Sequence, residues 1–262
     1  PTGFGKTEAF LGALYQLLAD NVQESAALVY PRTALLQDQL GRILEHIHKM
    51  EADLSVGIYI GSRNQPFKLE SVSPPSQVFD SNGRFELTNC WCGDEEEHGF
   101  YFEGGSREYE IVCENNPEHR FTHNDLILSK KEIAHHGQQP DILLTTLESL
   151  ELFGLKPNYD IIDKIDTVVF DEIHMYTGLR GAHAAQIVDN INSVTDQPLL
   201  WLGASATIDN PERFAKKLFD LPPNRIRAIE PPKSDFDEDH DDREHFYFLT
   251  TFEDGPTVSE IG

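Results

Sequence analysis

The sequence predicts an α/β fold: a mostly parallel β-sheet with helices on both faces, plus an irregular cysteine-containing insertion. Three observations carry this. Short apolar runs alternate with amphipathic stretches of helical period, the rhythm of repeated βα units. One run, Thr167-Val168-Val169-Phe170, reads as a buried strand and ends in two carboxylates, Asp171 and Glu172, where open α/β sheets place their ligand sites. The chain opens on Pro1-Thr2-Gly3-Phe4-Gly5-Lys6-Thr7, a phosphate-binding loop that lacks only its first position.

In chain order, residues 8–20 are expected as a helix with Phe10, Leu11, Leu14, Leu17 and Leu18 on its apolar face. Ala26–Tyr30 is a buried strand, left by the turn Pro31-Arg32-Thr33. Residues 34–50 form an amphipathic helix with Leu36, Leu40, Ile43, Leu44 and Ile47 on one side. Residues 54–60 are the next strand, closed by Gly61. From 62 to 139 regular apolar periodicity fades, Pro, Gly, Asn and acids are frequent, and all three cysteines occur; this is the expected insertion. The rhythm resumes with a strand at 141–144 and a helix at 147–153, then the strand ending in Asp171. A helix at 182–193, a strand at 199–203 and a helix over Pro211–Phe219, with Pro at an early helical position, complete the units. The core fold is therefore expected over 1–61 and 140–221. Residues 222–262 read as an acidic linker followed by a strand-like run at 245–251 that leaves towards a missing partner domain.

Forty-five acids against 21 bases give a net charge of −24. A nucleic-acid partner normally leaves a basic footprint. Either the ligand is not a polyanion, or the protein works in high salt, where the Debye length shrinks to about 3 Å at 1 M and self-repulsion fades. The motifs favour the high-salt, halophile reading. Three cysteines without a paired framework suit a reducing compartment, hence the cytoplasm. No apolar run approaches the roughly 18 residues of a membrane span. Because the first motif is cut, the chain is read as part of something longer.

The phosphate loop needs small residues because its backbone wraps the phosphates closely. Amides of Gly3 through Thr7 would point inward at the positive end of the following helix, Lys6 would reach the β- and γ-phosphates of a nucleotide, and the Thr7 hydroxyl would ligate Mg²⁺. Asp171 suits Mg²⁺, directly or through water, and Glu172 suits orienting and deprotonating an attacking water. Ser205-Ala206-Thr207 ends the next strand, so its hydroxyls are placed to contact the loop of the acidic pair. His174 would complete a hydrogen-bonded link between the two loops. Arg32, Thr33, Thr145 and Thr146 carry side chains of types that bind phosphate and are expected in loops at one end of the sheet. For Thr146 a helix cap before Leu147 is the competing role.

These motifs, with Pro31-Arg32-Thr33-Ala34-Leu35 and Thr145-Thr146-Leu147-Glu148, occur in the order found in superfamily-two helicases of the DEAD/DEAH type, which the chain resembles over nearly its whole length. The segment from Asp171 through His183, with Ser205-Ala206-Thr207-Ile208-Asp209-Asn210-Pro211, is similar to the MrfA/YprA-type DNA repair helicases and the DrmA helicase of DISARM phage defence. The resemblance implies the first of two RecA-like motor lobes of an ATP-dependent DNA helicase or translocase. Thr2, Gly3, Phe4, Gly5, Lys6 and Thr7 would hold ATP·Mg²⁺, with Asp171 and Glu172 as metal and water residues. His174, Ser205 and Thr207 would couple hydrolysis to movement, Arg32, Thr33, Thr145 and Thr146 would match the positions that hold the nucleic-acid backbone, and the partner would be nucleic acid, DNA first. Lacking the second lobe, the isolated chain would hydrolyse little ATP. A CRISPR-associated helicase–nuclease, an RNA helicase and a non-hydrolysing ATP switch or scaffold are the alternatives.

Cys90-Trp91-Cys92, Cys113 and His119 form a possible Zn²⁺ set. Cys-x-Cys is tighter than the usual spacing and a fourth cysteine is missing, so a metal-free or degenerate ribbon is the competing reading.

Overall fold

The computed structural model describes residues 6–20, 23–60, 82–93, 98–104, 108–128, 133, 139–155, 164–195, 198–205, 208, 210–229 and 247–251. Thr2, Gly3, Phe4, Gly5 and Thr207 lie outside them.

In chain order the elements are α1 (Lys6–Ala19), β1 (Ala26–Tyr30), α2 (Thr33–Met50), β2 (Val56–Tyr59), β3 (Arg84–Cys90), β4 (His98–Gly104), β5 (Tyr109–Cys113), β6 (Arg120–Thr122), β7 (Leu126–Ile127), β8 (Ile142–Thr146), α3 (Leu147–Leu155), β9 (Thr167–Phe170), α4 (Gly178–Val194), β10 (Leu200–Ser205), α5 (Pro211–Phe219), β11 (Ile226–Ile229) and β12 (Tyr247–Thr251). Among the described residues the main sheet has the order β11-β12-β10-β9-β1-β8-β2-β7. From β10 to β7 every neighbouring pair is parallel; β12 runs antiparallel to both β10 and β11.

Strand pleat divides the core. In β1, Ala26, Leu28 and Tyr30 face the layer of α1 and α2, while Ala27 and Val29 face that of α4 and α5. β9 repeats the split, with Val169 on the first side and Val168 and Phe170 on the second. Both faces being covered is why these strands read as continuous apolar runs. In α2 the buried residues Leu36, Gln39, Leu40, Ile43, Leu44 and Ile47 recur at helical spacing. Each fully buried Leu or Ile there contributes about 1.5–3 kcal/mol of burial free energy. In α1, Tyr15 is buried and Leu17 only partly, because Leu11, Tyr15 and Leu18 share one face. On the second face Phe170, Tyr176, Trp201 and Phe219 pack ring to ring at 5.4–6.0 Å.

The region expected to be irregular holds a four-stranded antiparallel sheet, β3-β4-β5-β6. Its Phe85, Leu87, Phe100, Tyr109, Ile111 and Phe121 join the same core cluster as α2. The alternation is present in β3, where Phe85 and Leu87 are buried around exposed Glu86, but it is short and broken by polar residues. β7 also lies within the stretch 62–139 yet pairs parallel with β2 in the main sheet, so the main sheet resumes before residue 140. The strand expected to leave the domain, β12, instead pairs with β10 at Gly203–Ser205, supplying ladder partners to an otherwise open edge.

Candidate functional site

Pro31 follows β1, Thr146 ends β8, Asp171 follows β9 and Ser205 ends β10. Since β10, β9, β1 and β8 are adjacent and parallel, these four residues stand along one edge of the sheet, the one formed by the C-terminal ends of its strands.

Asp171 is 8% exposed. Its amide donates to the Val29 carbonyl at 3.0 Å, continuing the β9–β1 ladder by one residue. Its Oδ1 accepts from the Glu172 amide at 2.8 Å. Glu172 turns the chain out of the sheet with φ 48° and ψ 49°, a left-handed conformation that costs a non-glycine residue about 1–2 kcal/mol. A single 3₁₀ turn over Ile173–Met175 follows and directs His174 back towards β10. His174 Nδ1 lies 3.2 Å from Ser205 Oγ and 3.1 Å from Glu172 Oε2. Ser205, expected in the turn after a strand, is instead the buried last residue of β10.

Two buried tyrosines stand near this turn on opposite faces of the sheet, Tyr30 ending β1 and Tyr176 closing the 3₁₀ turn. The hydroxyls of Tyr30 and Tyr176 have no hydrogen-bond partner among the described residues. Burial, then the nearby Asp171 carboxylate, pushes the Tyr30 phenol well above its usual range. Burial does the same to Tyr176, against the opposing pull of Arg180. Both therefore stay neutral at physiological pH.

Arg180, in the first turn of α4, was not among the residues singled out by the motifs. Its guanidinium donates to the Pro31 carbonyl, lies 3.8 Å from Glu148 and sits 5.4 Å over the Tyr176 ring. It thereby ties together the segments after β1, β8 and β9. The bond to Pro31 spans 149 positions, so no local pattern reveals it. Gly181 permits the arrangement: a Cβ there would lie 2.3 Å from the Tyr176 carbonyl oxygen.

Arg32 and Thr33 are exposed at the start of α2. Arg32 occupies the N-cap position with extended backbone, and its side chain makes no cap hydrogen bond to the opening turn. Thr145 and Thr146 differ from the expectation of loop residues. They are the buried last residues of β8; the Thr145 hydroxyl donates to the Tyr59 carbonyl at 2.7 Å, and the Thr146 hydroxyl lies 3.1 Å from that of Ser149. A strand-end threonine whose hydroxyl already serves a neighbouring backbone is held in the sheet. Lys6 and Thr7 are the first two residues of α1.

A second cluster lies at one end of the inserted sheet. Cys90 ends β3, Cys92 follows it by two, Cys113 ends β5 and His119 precedes β6. Their ligand atoms all fall within 4.8 Å of one another. Cys90 Sγ is 3.1 Å from His119 Nδ1, and Cys92 Sγ is 3.4 Å from Cys113 Sγ. Burial pushes the Cys90 thiol up. Burial opposes ionisation of Cys113 too, but the backbone amides of Asn116 and Asn115 donate to its sulfur and hold it below the usual thiol range. Burial, with neighbouring His48, lowers His119 and keeps it neutral.

The DEAD/DEAH box helicase family model matches residues 1–89 and 114–214. This chain belongs to the DEAD/DEAH box helicases. The helicase match passes through every strand end of the first cluster and is interrupted between residues 89 and 114, where Cys90 and Cys92 lie and Cys113 closes the gap. The Druantia protein DruE of Escherichia coli is 26% identical over 290 residues, covering 87% of this chain and 16% of DruE. The Lhr helicase/probable uracil glycosylase of Mycolicibacterium smegmatis is 35% identical over 88 residues, covering 33% of this chain and 6% of that protein. The chain thus spans a small share of the curated relatives it matches. Among solved structures, the helicase MrfA superposes with a TM-score of 0.51 at 19% identity, over 85% of this chain and 26% of that one. MrfA bound to DNA gives the same TM-score at 17% identity. At such identities the likeness establishes the RecA-like fold. Among the described residues, no helix is long and apolar enough to cross a membrane.

Proposed function

We propose that this helicase domain is the ATP-binding motor lobe of a DNA helicase or translocase, coupling ATP hydrolysis to movement along a strand. The observation that carries the reading is the shared sheet edge at which Pro31, Thr146, Asp171 and Ser205 meet, with His174 joining the loops after β9 and β10. Bound ATP·Mg²⁺ supplies the phosphoanhydride and the cation that neutralises its charge. Thr2, Gly3, Phe4 and Gly5 wrap the phosphates, Lys6 pairs with them, and Thr7 and Asp171 hold the cation. Asp171 fits that task because its carboxylate stands where β9 ends, the end of an open α/β sheet at which ligands bind. Glu172 orients the attacking water and takes its proton.

His174, Ser205 and Thr207 carry the state of the nucleotide site to the neighbouring strand. Arg32, Thr33 and the opening amides of α2 hold strand phosphates. Thr145 and Thr146 support that surface from the end of β8. DNA is the favoured strand because MrfA, whose fold this chain shares, is solved bound to DNA. A second motor lobe in the complete protein closes the nucleotide site, and the lobe alone hydrolyses little.

The test is ATP hydrolysis by the complete gene product in roughly molar KCl, with and without single-stranded DNA. Stimulation by DNA is expected, with loss of about 100-fold or more in Glu172→Gln and nucleotide binding retained. Tight ATP binding without DNA stimulation at any salt concentration would sink the motor reading and favour a nucleotide switch or scaffold.

A further inference from the structure

We propose that Cys90, Cys92, Cys113 and His119 bind one structural Zn²⁺, which clamps the inserted sheet onto the C-terminal end of α2. The donor set is three thiols and an imidazole, a combination that suits tetrahedral zinc. With Zn–S near 2.3 Å and Zn–N near 2.0–2.1 Å, tetrahedral ligands stand about 3.5–3.8 Å apart. The measured separations of 3.1 and 3.4 Å, with all donors inside 4.8 Å, require shifts of only a few tenths of an ångström to about one.

The surroundings are those of a metal site. Cys90 accepts from the Cys92 amide, and Cys113 from the amides of Asn115 and Asn116, so two sulfurs sit where backbone dipoles stabilise thiolate. The Asn116 carboxamide lies 3.1 Å from His119 Nε2, and the Trp91 ring stacks on the imidazole at 4.9 Å; together they fix the plane of the ring. Nδ1 is thereby left facing the thiols.

The placement explains what the ion would do. The ends of β3 and β5 and the start of β6 meet at this end of the inserted sheet. The cluster touches α2 through His48, whose ring is 4.7 Å from His119 and 5.5 Å from Trp91. Further along the same helix, Gly41 packs so closely on the sheet that a Cβ would meet Thr88 Oγ1 at 2.4 Å. The opposite end of α2 is Arg32-Thr33. One rigid helix therefore joins the zinc clamp to the exposed residues at the sheet edge. The ligand set falls largely in the interruption of the family match, so the site is an addition to the shared motor fold.

Binding displaces the thiol protons to solvent and leaves three thiolates and a neutral imidazole on the ion. The experiment measures zinc by mass spectrometry in the complete gene product purified without chelators, then repeats the titration with Co²⁺. About one zinc per chain is expected, with the visible bands of tetrahedral thiolate-bound cobalt. Cys92→Ser should abolish both signals, and His119→Cys, which keeps four ligands, should retain them. Wild-type protein that carries no zinc and gives no cobalt bands overturns the proposal.

Discussion

The imidazole Nδ1 of His174 stands 3.2 Å from the Ser205 hydroxyl, joining the turn after β9 to the last residue of β10. The same nitrogen is 3.1 Å from Glu172 Oε2, so one ring addresses the acidic pair and the neighbouring strand together. Ser205→Ala removes one hydrogen bond, worth about 1 kcal/mol, and leaves the acidic pair in place. ATP hydrolysis should stay within about twofold while strand separation per ATP falls about fivefold. Parallel ATPase and unwinding assays check this; equal losses in both would place Ser205 in hydrolysis rather than coupling.

Arg180 and Glu148 are ion-paired at 3.8 Å, but the Glu148 side chain is 62% exposed. An exposed pair contributes about 0–1 kcal/mol. The bond from Arg180 to the Pro31 carbonyl is part-buried and charge-assisted, in the range of about 1.5–3 kcal/mol. Arg180→Ala should therefore cost clearly more stability than Glu148→Gln in urea melts, and should weaken DNA binding by loosening Pro31-Arg32-Thr33. Equal small losses would show that the contact to Pro31 does not hold the edge together.

Gly181→Ala sets a Cβ 2.3 Å from the Tyr176 carbonyl, a backbone atom that has no free rotation with which to yield. The turn carrying His174 must move or α4 must shift. A loss of about 1–3 kcal/mol is expected from this overpacking, read as a lower thermal midpoint. An unchanged midpoint would show that the first turn of α4 is loosely held.

With 45 acids against 21 bases, repulsion among surface carboxylates should weaken as salt is added. The thermal midpoint should climb steadily between about 0.1 M and about 2 M KCl. A flat or falling midpoint would remove the high-salt reading of the composition.

Much of the main sheet was legible because parallel strands covered on both sides must be apolar at every position. Ala26–Tyr30 and Thr167–Phe170 announce themselves in that way. Helix α2 was legible because one face is buried and the other is not. The inserted sheet was hidden because it has one face on α2 and one in water, and its strands are short and rich in polar residues. Thr145 and Thr146 look like turn residues in isolation; the carbonyl of Tyr59 on neighbouring β2 makes a strand end of Thr145.

Local chemistry is written in the order of residues: which runs are apolar, where a carboxylate pair ends a strand, where thiols and an imidazole recur. Proximity is not. That His174 reaches Ser205, that Arg180 reaches Pro31, and that Cys90, Cys92, Cys113 and His119 converge within 4.8 Å follows from strand order and crossover packing. Those contacts join positions up to 149 residues apart; the first two exist because parallel strands covered on both faces bring their ends to a common edge, and the cysteine cluster because antiparallel pairing brings the ends of β3 and β5 and the start of β6 together.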